Sequence, residues 1–275
     1  MKRILVTGSS GYIGSHLCKM LQDEYEVHGL DIRDPQIPMK HFYNIDITKG
    51  FVMDGPEFDA VIHLAALINV GESQVRPISY YITNINGTMN VLNKIKTKNF
   101  IFASTGAAVQ CNSAYAISKR AAEDVVWSYA KLANINYTTF RFYNVIGSSC
   151  VLPGNPDGLM LKLIEATKTG VFTIHGNKYQ TPDGTCLKDY VHVDEICAAL
   201  KKAIDEPANK TESLGHGVGY TVKEMVNIFQ RVNDVDFDVK IGPPRDGDVG
   251  VYVLEDTSKY LPNLFKIEDL LRVNS

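Results

Sequence analysis

The sequence lacks the features that mark membrane-spanning, secreted and nucleic-acid-binding proteins. No uninterrupted apolar run is long enough to cross a bilayer. Glycines interrupt the apolar start of the chain at once, so we expect neither a transmembrane segment nor a signal peptide. The formal net charge is −3 and no basic cluster could follow a phosphate backbone. We therefore expect neither nucleic acid nor a membrane surface as a partner.

Cysteines are few and scattered. The sequence has 5, an odd number without a Cys-x-x-Cys pair, which is typical of reduced thiols and predicts a cytoplasmic protein. No His/Cys cluster has the spacing of a metal site, so we expect no metal. Hydrophobic residues make up 45% and charged residues 21% of the chain, a balance that is typical of folded globular proteins and excludes extended disorder.

Short apolar runs alternate with helical patterns through the first half of the chain. Strand-like runs cover 3–8, 26–32, 41–47, 59–66, 99–104 and 137–142, and helical periodicity covers 12–22, 76–96 and 113–133. This alternation predicts an α/β fold with a Rossmann-type doubly wound parallel sheet. After Asn144 the segments are shorter, with helical patterns at 158–168, 193–205 and 221–231. We predict a first domain over 1–144 and a smaller α/β substrate-binding lid over 145–275.

A glycine-rich turn links the first predicted strand to the first helix. Gly8, Gly11 and Gly14 have the spacing G-x-x-G-x-x-G. Glycine permits a tight turn and lets backbone N–H groups approach a pyrophosphate, while the helix N-terminus adds partial positive charge. Asp31 ends the second strand, where a carboxylate can bind adenosine ribose hydroxyls and repel a 2′-phosphate. Although Arg33 favours such a phosphate, an adjacent acid partly offsets it, and the pattern predicts NAD as the cofactor.

A phenol and an ammonium lie one helical turn apart further along the chain. Tyr115 and Lys119 are at positions i and i+4, on one face of the predicted helix. To act as a base at neutral pH, a phenol needs a pKa shift of about 3 units, roughly 4 kcal/mol. A positive charge at about 4 Å supplies about 4 kcal/mol at an effective dielectric of about 20, so we expect Lys119 to lower the pKa of Tyr115. Ser104 and Thr105 end the preceding strand, and either hydroxyl could bond a substrate oxygen and relay a proton.

A series of short motifs runs along almost the whole chain. In order, they are TGSSGYIGSH, VIHLAAL, VGES, YYITNINGT, FAST, YAISK, RFYNVIG and DGTCLKDYVHVDE. This series resembles the UDP-glucose 4-epimerases of the extended short-chain dehydrogenase/reductase family. The resemblance implies an NAD-dependent isomerase that interconverts UDP-glucose and UDP-galactose, or a related UDP-hexose, through a 4-keto sugar. It implies that Tyr115 takes the proton of the 4-hydroxyl group.

The resemblance also implies which residues hold the cofactor and the UDP-sugar. It assigns catalysis to Tyr115 and Lys119, with Thr105 or Ser104 supplying the hydroxyl. It assigns NAD contacts to Gly8, Gly11, Tyr12, Ile13, Gly14, Asp31, Ile32, Asp46, Ile47, Leu64, Ala65, Ala66, Asn84, Tyr115, Lys119 and Tyr143. It assigns substrate contacts to Asn144, Leu159, Tyr190, Arg245 and Asp248. Among these, Arg245 suits the diphosphate because a guanidinium can bond two phosphate oxygens.

The sequence departs from the family pattern near the predicted site. Only residues 110–114 separate Val109 from Tyr115, where the family carries a longer loop that opens with Tyr-Gly. The usual catalytic hydroxyl corresponds to Gly106, which leaves Ser104 or Thr105 to serve. A Lys, an Arg and an Asn of the family are replaced by Ile68, Lys188 and Gly158. These departures leave open a catalytically weak protein that binds NAD and a nucleotide sugar.

Two other enzymes of the same family stay as alternatives, a dehydratase and a reductase acting on a nucleotide sugar. The 4,6-dehydratases need an Asp-Glu pair directly after the threonine of the fifth strand. This chain has Gly106 and Ala107 there, so it lacks the carboxylate that would remove the C5 proton. The epimerase interpretation is therefore favoured.

The helical pattern that starts near Pro77 carries two apolar stripes about 95° apart. One stripe can pack on the sheet, which leaves the other for a partner. Family members pair through this helix and the Tyr115 helix, so the resemblance predicts a homodimer. The first stripe contains Ile78, Ile82, Ile85, Met89 and Leu92, and the second contains Tyr81, Thr88, Val91 and Ile95.

Overall fold

The structure is a computed structural model that describes residues 1–53, 55–147, 150–151, 158–245, 249–262 and 264–273. Contacts divide the chain into two compact units. The first contains Met1–Phe142 and Cys197–Ser213, and the second contains Tyr143–Ile196 and Leu214–Ser275. The chain thus leaves the first unit two residues before the boundary expected after Asn144. It also returns to that unit for 197–213, a segment that the sequence assigned to the second domain.

A seven-stranded sheet forms the centre of the first unit. Its strands are β1 (Arg3–Thr7), β2 (Glu26–Asp31), β3 (His41–Asn44), β4 (Ala60–His63), β5 (Asn99–Thr105), β6 (Asn136–Phe142) and β10 (Thr211–Leu214). Their order is β10-β6-β5-β4-β1-β2-β3. All pairs from β6 to β3 are parallel, which confirms the predicted Rossmann-type sheet.

Helices connect these strands where the sequence carries helical periodicity. They are α1 (Tyr12–Leu21), α2 (Val70–Val75), α3 (Pro77–Tyr81), α4 (Gly87–Lys94) and α5 (Ala114–Ala133). Helix α5 begins at Ala114 because the Ser113 hydroxyl accepts a hydrogen bond from the Ala116 N–H at 3.1 Å. It ends where Asn134 takes a left-handed conformation with φ 53°. The core of this unit includes Leu5, Val61, Phe100, Phe102, Val126 and Tyr137.

The segment 77–94 differs from the single helix that its periodicity predicts. A π-helical turn, Ile82–Asn86, separates α3 from α4. The extra residue in such a turn changes which side chains face the neighbouring elements. Here the turn places the buried Asn84 amide against the Leu67 backbone and Ser118 of α5. Sequence periodicity cannot reveal this shift, because the apolar pattern continues through it.

The second unit is a smaller α/β assembly. Strands β7 (Asn144–Ile146) and β13 (Val251–Tyr252) lie parallel to β9 (Leu187–His192), and β11 (Gly219–Thr221) lies antiparallel to it. Strand β8 (Val171–His175) pairs in parallel with β12 (Asp238–Gly242). The helices are α6 (Leu159–Thr169), α7 (Val193–Asp205), which continues into the first unit, α8 (Val222–Asn233) and α9 (Ile267–Leu270).

The core of the second unit is separate from that of the first. It includes Met160, Leu163, Phe172, Met225 and Phe229, which come from α6, β8 and α8. Within the described part of the chain, no helix combines the length and apolarity that crossing a membrane requires.

Candidate active site

The turn between β1 and α1 has room only for glycine. Gly8 has φ +73°, and a Cβ there would lie 2.7 Å from the Ala65 backbone nitrogen. A Cβ at Gly14 would lie 2.1 Å from the Gly8 carbonyl oxygen. Gly11 is the N-cap of α1, so this helix begins at Tyr12, directly after the turn. The turn therefore fits the pyrophosphate of a dinucleotide, which needs close backbone approach beside a helix N-terminus.

The Asp31 carboxylate fastens this turn to the end of β2. One carboxylate oxygen accepts a hydrogen bond from the Ser10 N–H at 3.0 Å, and the other accepts from the Arg33 N–H at 3.0 Å. The side chain is buried, whereas the adjacent Ile32 is exposed. The acid thus lies beside the glycine turn, where the sequence predicted a ribose contact.

The segment after β4 lies next to the glycine turn. The Leu64 and Ala65 N–H groups donate to the Thr7 carbonyl and hydroxyl oxygens, at 3.1 and 3.3 Å. The Asn84 side chain exchanges two hydrogen bonds of 2.9 Å with the Leu67 backbone. The Asn84 amide therefore holds this segment in place, and its predicted contact with NAD stays a prediction.

Two other predicted cofactor residues, Asp46 and Ile47, follow β3. The Asp46 carboxylate accepts hydrogen bonds from the Thr48 N–H at 2.9 Å and the Thr48 hydroxyl at 2.7 Å, and these bonds lower the pKa of Asp46. Ile47 is buried in the core, and a Cβ at Gly87 would lie 2.8 Å from its side chain. Both residues fix the shape of the chain after β3.

Tyr115 occupies the first turn of α5, beside the end of β5. Burial raises the pKa of its phenol to about 12, while a hydrogen bond from the Thr105 hydroxyl opposes this rise. Among the described residues, Thr105 is the group that lowers this pKa. The predicted effect of Lys119 on this pKa stays a prediction.

Lys119 is buried beside an aromatic ring. Its ammonium nitrogen sits 4.1 Å from the centroid of the buried Phe102 ring. Burial lowers the pKa of Lys119 to about 7, although the nearby Glu123 carboxylate raises it. A lysine with this pKa carries only part of a positive charge at neutral pH, so its field at Tyr115 is reduced.

Ser104 faces a different neighbour from Thr105. Successive residues of a strand point to opposite faces of the sheet, and the Ser104 hydroxyl donates to Glu123 at 2.5 Å. The Arg141 guanidinium makes two bonds to the same carboxylate, at 2.6 and 2.9 Å. Of the two candidate hydroxyls, Thr105 is therefore the one beside Tyr115. Sequence reasoning missed Glu123, although it lies one helical turn after Lys119.

A second tyrosine supports the first. The ring of Tyr80 on α3 meets the Tyr115 ring edge to face, with centroids 6.4 Å apart. Its hydroxyl donates to the Asn69 carbonyl oxygen at 2.6 Å, and Asn69 caps α2 by accepting from the Glu72 N–H. Tyr80 is fully buried. It packs the segment that contains the VGES motif against the Tyr115 helix, a role that motif reasoning did not predict.

The short link before α5 is a compact turn. Gly106–Val109 form one turn of 3₁₀-helix, which the Thr105 side chain caps. Cys111 adopts φ 52°, and its thiol donates to the Ala108 carbonyl oxygen at 3.2 Å. The chain then enters α5 through Ser113. The link between Thr105 and Tyr115 therefore consists of one 3₁₀ turn and a few further residues.

The predicted site residues of the second unit, which are the substrate contacts and the predicted NAD contact Tyr143, have varied environments. The Asn144 amide donates to the Asp189 carbonyl oxygen at 2.9 Å, and Tyr143 stacks on Tyr252 at 4.7 Å. Tyr190 is only 4% exposed and packs in the core, so burial raises its pKa. This side chain packs in the core of the second unit, and its predicted substrate contact stays a prediction. Leu159 packs against the same core, Arg245 is exposed, and Asp248 lies outside the described residues.

Comparison with known proteins identifies the family of the chain. Residues 4–215 match the model of the NAD dependent epimerase/dehydratase family. A UDP-glucose 4-epimerase from Caenorhabditis elegans is 31% identical over 90% of this chain and 87% of its own length. A probable UDP-arabinose 4-epimerase 3 from Arabidopsis thaliana is 30% identical over 95% of this chain and 75% of its own length.

The fold is also that of a solved structure. UDP-glucose 4-epimerase from Bifidobacterium longum, in complex with NAD+ and UDP, superposes with a TM-score of 0.87 at 24% identity, covering 98% of this chain and 96% of that chain. The family match confirms the predicted family and NAD as the cofactor. The chain belongs to the NAD dependent epimerase/dehydratase family and is an NAD-dependent enzyme.

Proposed function

We propose that this chain is a UDP-sugar 4-epimerase that interconverts UDP-glucose and UDP-galactose, or a related UDP-hexose, through a 4-keto sugar. The observation that carries the proposal is the half-buried Tyr115, whose phenol is hydrogen-bonded to Thr105 one turn before Lys119, in a unit whose glycine turn fits NAD. The named activities of the C. elegans and A. thaliana relatives support the same reaction class.

The chain's own residues perform the proton chemistry. NAD, when bound by the glycine turn and Asp31, supplies a reversible two-electron acceptor for the C4–H bond of the sugar. Tyr115 removes the proton of the 4-hydroxyl oxygen and returns a proton to that oxygen after the sugar has turned over. The Thr105 hydroxyl donates to the phenolic oxygen and stabilises its deprotonated form. Protonated Lys119 adds positive charge one helical turn away.

The electrostatics of the site predict how the activity changes with pH. Burial favours the neutral phenol of Tyr115, so the base form grows as pH rises towards its pKa. Lys119 loses its proton over the range near pH 7, where its pKa lies. Activity should therefore rise with pH while Tyr115 controls it and fall where the loss of the Lys119 charge dominates.

The structure favours an epimerase over a dehydratase at one specific position. Gly106 and Ala107 form the start of the 3₁₀ turn after Thr105, and the link up to Tyr115 contains no carboxylate. Removal of a C5 proton needs a base at this place. The same link supports a second candidate, a protein that binds NAD and a nucleotide sugar with weak catalysis.

The direct test incubates the purified protein and NAD with UDP-galactose and follows the sugar nucleotides by NMR. We expect UDP-glucose to form without net NADH. UDP-arabinose and UDP-N-acetylglucosamine in parallel reactions identify the preferred sugar. Stoichiometric NADH with an oxidised sugar would contradict the epimerase proposal, and NAD binding without any conversion would favour the weakly catalytic protein.

We also propose that the chain forms a homodimer through α3, α4 and α5. On the first stripe, Ile78, Ile82 and Met89 are 64%, 42% and 41% exposed, whereas Thr88 and Val91 of the second stripe are buried. Exposed apolar residues also occur on α5, at Ile117 and Trp127. Light scattering at micromolar concentration should give a dimer for the protein and a monomer for Ile82→Glu. A monomeric wild type would contradict this proposal.

A further inference from the structure

Three side chains of types that bind transition metals meet at the β2–β3 edge of the sheet. Glu26 and His28 are two residues apart in β2, so their side chains share one face. His41 begins β3, the edge strand, and pairs in register with His28. One ligand atom from each of the three residues lies within 4.8 Å of the others. These residues lie towards the opposite end of β2 from Asp31 and take no part in the proposed reaction.

The distances within this group are close to those of a metal site. The Glu26 Oε1 atom lies 2.9 Å from His28 Nε2 and 3.9 Å from His41 Nε2. Zinc binds imidazole nitrogen and carboxylate oxygen at about 2.0–2.2 Å, so tetrahedral geometry puts its donor atoms about 3.3–3.6 Å apart. The distances from Glu26 Oε1 to the two imidazole nitrogens lie on either side of that range. Because the His28 and His41 rings are stacked and nearly parallel, the partly exposed His41 ring must turn out of this stack, and Glu26 must rotate, to bring all three donors to one ion.

The second nitrogen of His28 has a partner that fixes its orientation. His28 Nδ1 lies 3.1 Å from the Tyr43 hydroxyl oxygen. When Nδ1 donates its proton to that oxygen, the Nε2 lone pair is available to a metal, which is the usual arrangement of a ligating histidine. The ring also stacks on His41 at 4.4 Å and meets Phe58 edge to face at 5.3 Å. His28 is therefore a preoriented ligand.

Burial differs among the three residues in a way that suits ion entry. The His28 side chain is 3% exposed, whereas Glu26 and His41 are 38% and 33% exposed. An ion could thus reach the group from solvent and keep a water ligand on the open side. A positive group at the site opposes cation binding, because Arg3 Nε lies 3.4 Å from Glu26 Oε1. Removal of this guanidinium should strengthen cation binding.

We propose that Glu26, His28 and His41 bind a zinc-class divalent ion that ties the edge strand β3 to β2. Two imidazole nitrogens and one carboxylate oxygen, with an open position for water, form a donor set that zinc accepts. The sequence predicted no metal site because these residues form no short motif. Only the parallel register of β2 and β3 brings His41 beside His28.

Calorimetric titration with ZnCl2 tests the site. The background is a Cys111→Ser/Cys150→Ser variant, which removes the two thiols that are not fully buried. We expect one zinc ion per chain. His41→Asn and Glu26→Gln should each weaken zinc affinity at least about tenfold, whereas His175→Asn, a matched change in the second unit, should not. Arg3→Gln should bind zinc more tightly.

Thermal unfolding provides a second readout that does not depend on activity. Saturating zinc should raise the Tm of the background protein and of His175→Asn, but not that of His41→Asn, because only a ligand of the folded state stabilises it. Equal zinc affinity in His41→Asn and the background protein would overturn the proposal. The absence of saturable binding at millimolar zinc would also overturn it.

Discussion

In the first unit, the buried Tyr80 packs on Tyr115, Thr105 is itself buried, and the glycine turn has no room for a side chain at Gly8 or Gly14. In the second unit, Arg245 is exposed and Asn144 bonds only backbone among its described partners. The positions that we propose to hold the cofactor and to move the proton are thus closely restricted, whereas those proposed to select the sugar are less restricted. Substitutions in the first unit should therefore affect turnover and NAD binding, and those in the second unit should affect substrate affinity.

The largest expected effect is that of Tyr115→Phe. Loss of the proton-transferring hydroxyl should cut turnover on the order of 10²–10⁴ while NAD binding and the fold are kept. Steady-state kinetics and a titration with NAD measure the two properties. Tyr129→Phe, an exposed change on the same helix, is the matched control. Unchanged turnover in Tyr115→Phe would remove Tyr115 as the base.

Gly14→Ala should be the next most harmful change. Its Cβ would lie 2.1 Å from the Gly8 carbonyl oxygen, so the turn must move, and we expect NAD affinity to fall about 10- to 100-fold, corresponding to roughly 1–3 kcal/mol of overpacking. Gly50→Ala, where nothing lies within 4 Å of the added Cβ, should leave NAD affinity unchanged. Equal NAD affinity in the two variants would show that the turn is not the pyrophosphate site.

Thr105→Val and Ser104→Ala separate two adjacent hydroxyls. The Thr105 bond lowers the pKa of Tyr115, so its loss should move the rising limb of the kcat profile to higher pH and reduce neutral turnover about tenfold. Ser104→Ala removes a bond to Glu123 and should lower the free energy of unfolding by about 1–3 kcal/mol. Its pH profile should stay in place. The opposite pattern would assign the proton relay to Ser104.

The smallest effect is expected for Arg245→Gln in the second unit. An exposed cation that contacts a diphosphate contributes modestly, so KM for the UDP-sugar should rise about fivefold or less. Turnover and NAD affinity should stay unchanged. A fall in kcat with constant KM would place Arg245 in the catalytic machinery and would remove the contrast between the two units.

Features set by local sequence were predictable. The alternation of strands and helices gave the parallel sheet, and the helical periodicity over 113–133 gave α5. The glycine spacing predicted a turn that a Cβ would block. Each of these features depends on residues that are close in the chain.

Features set by distant contacts were not predictable. The return of 197–213 to the first unit and the packing of Tyr190 depend on elements far apart in sequence. The raised pKa of Tyr115 follows from burial, which outweighs the hydrogen bond from Thr105. The Glu26, His28 and His41 group requires knowledge of strand register. Burial and register are properties of the folded chain, so motif spacing carries no direct signal for them.

The fate of the hydrogen at C4 tests the central claim most directly. UDP-galactose that carries deuterium at C4 is incubated with the enzyme and NAD in ordinary water, and the product is examined by NMR and mass spectrometry. The account predicts UDP-glucose with deuterium still at C4, since the hydrogen leaves and returns within one site while Tyr115 exchanges only the hydroxyl proton. Loss of the label to water, or its accumulation in free NADH beside an oxidised sugar, would contradict the account.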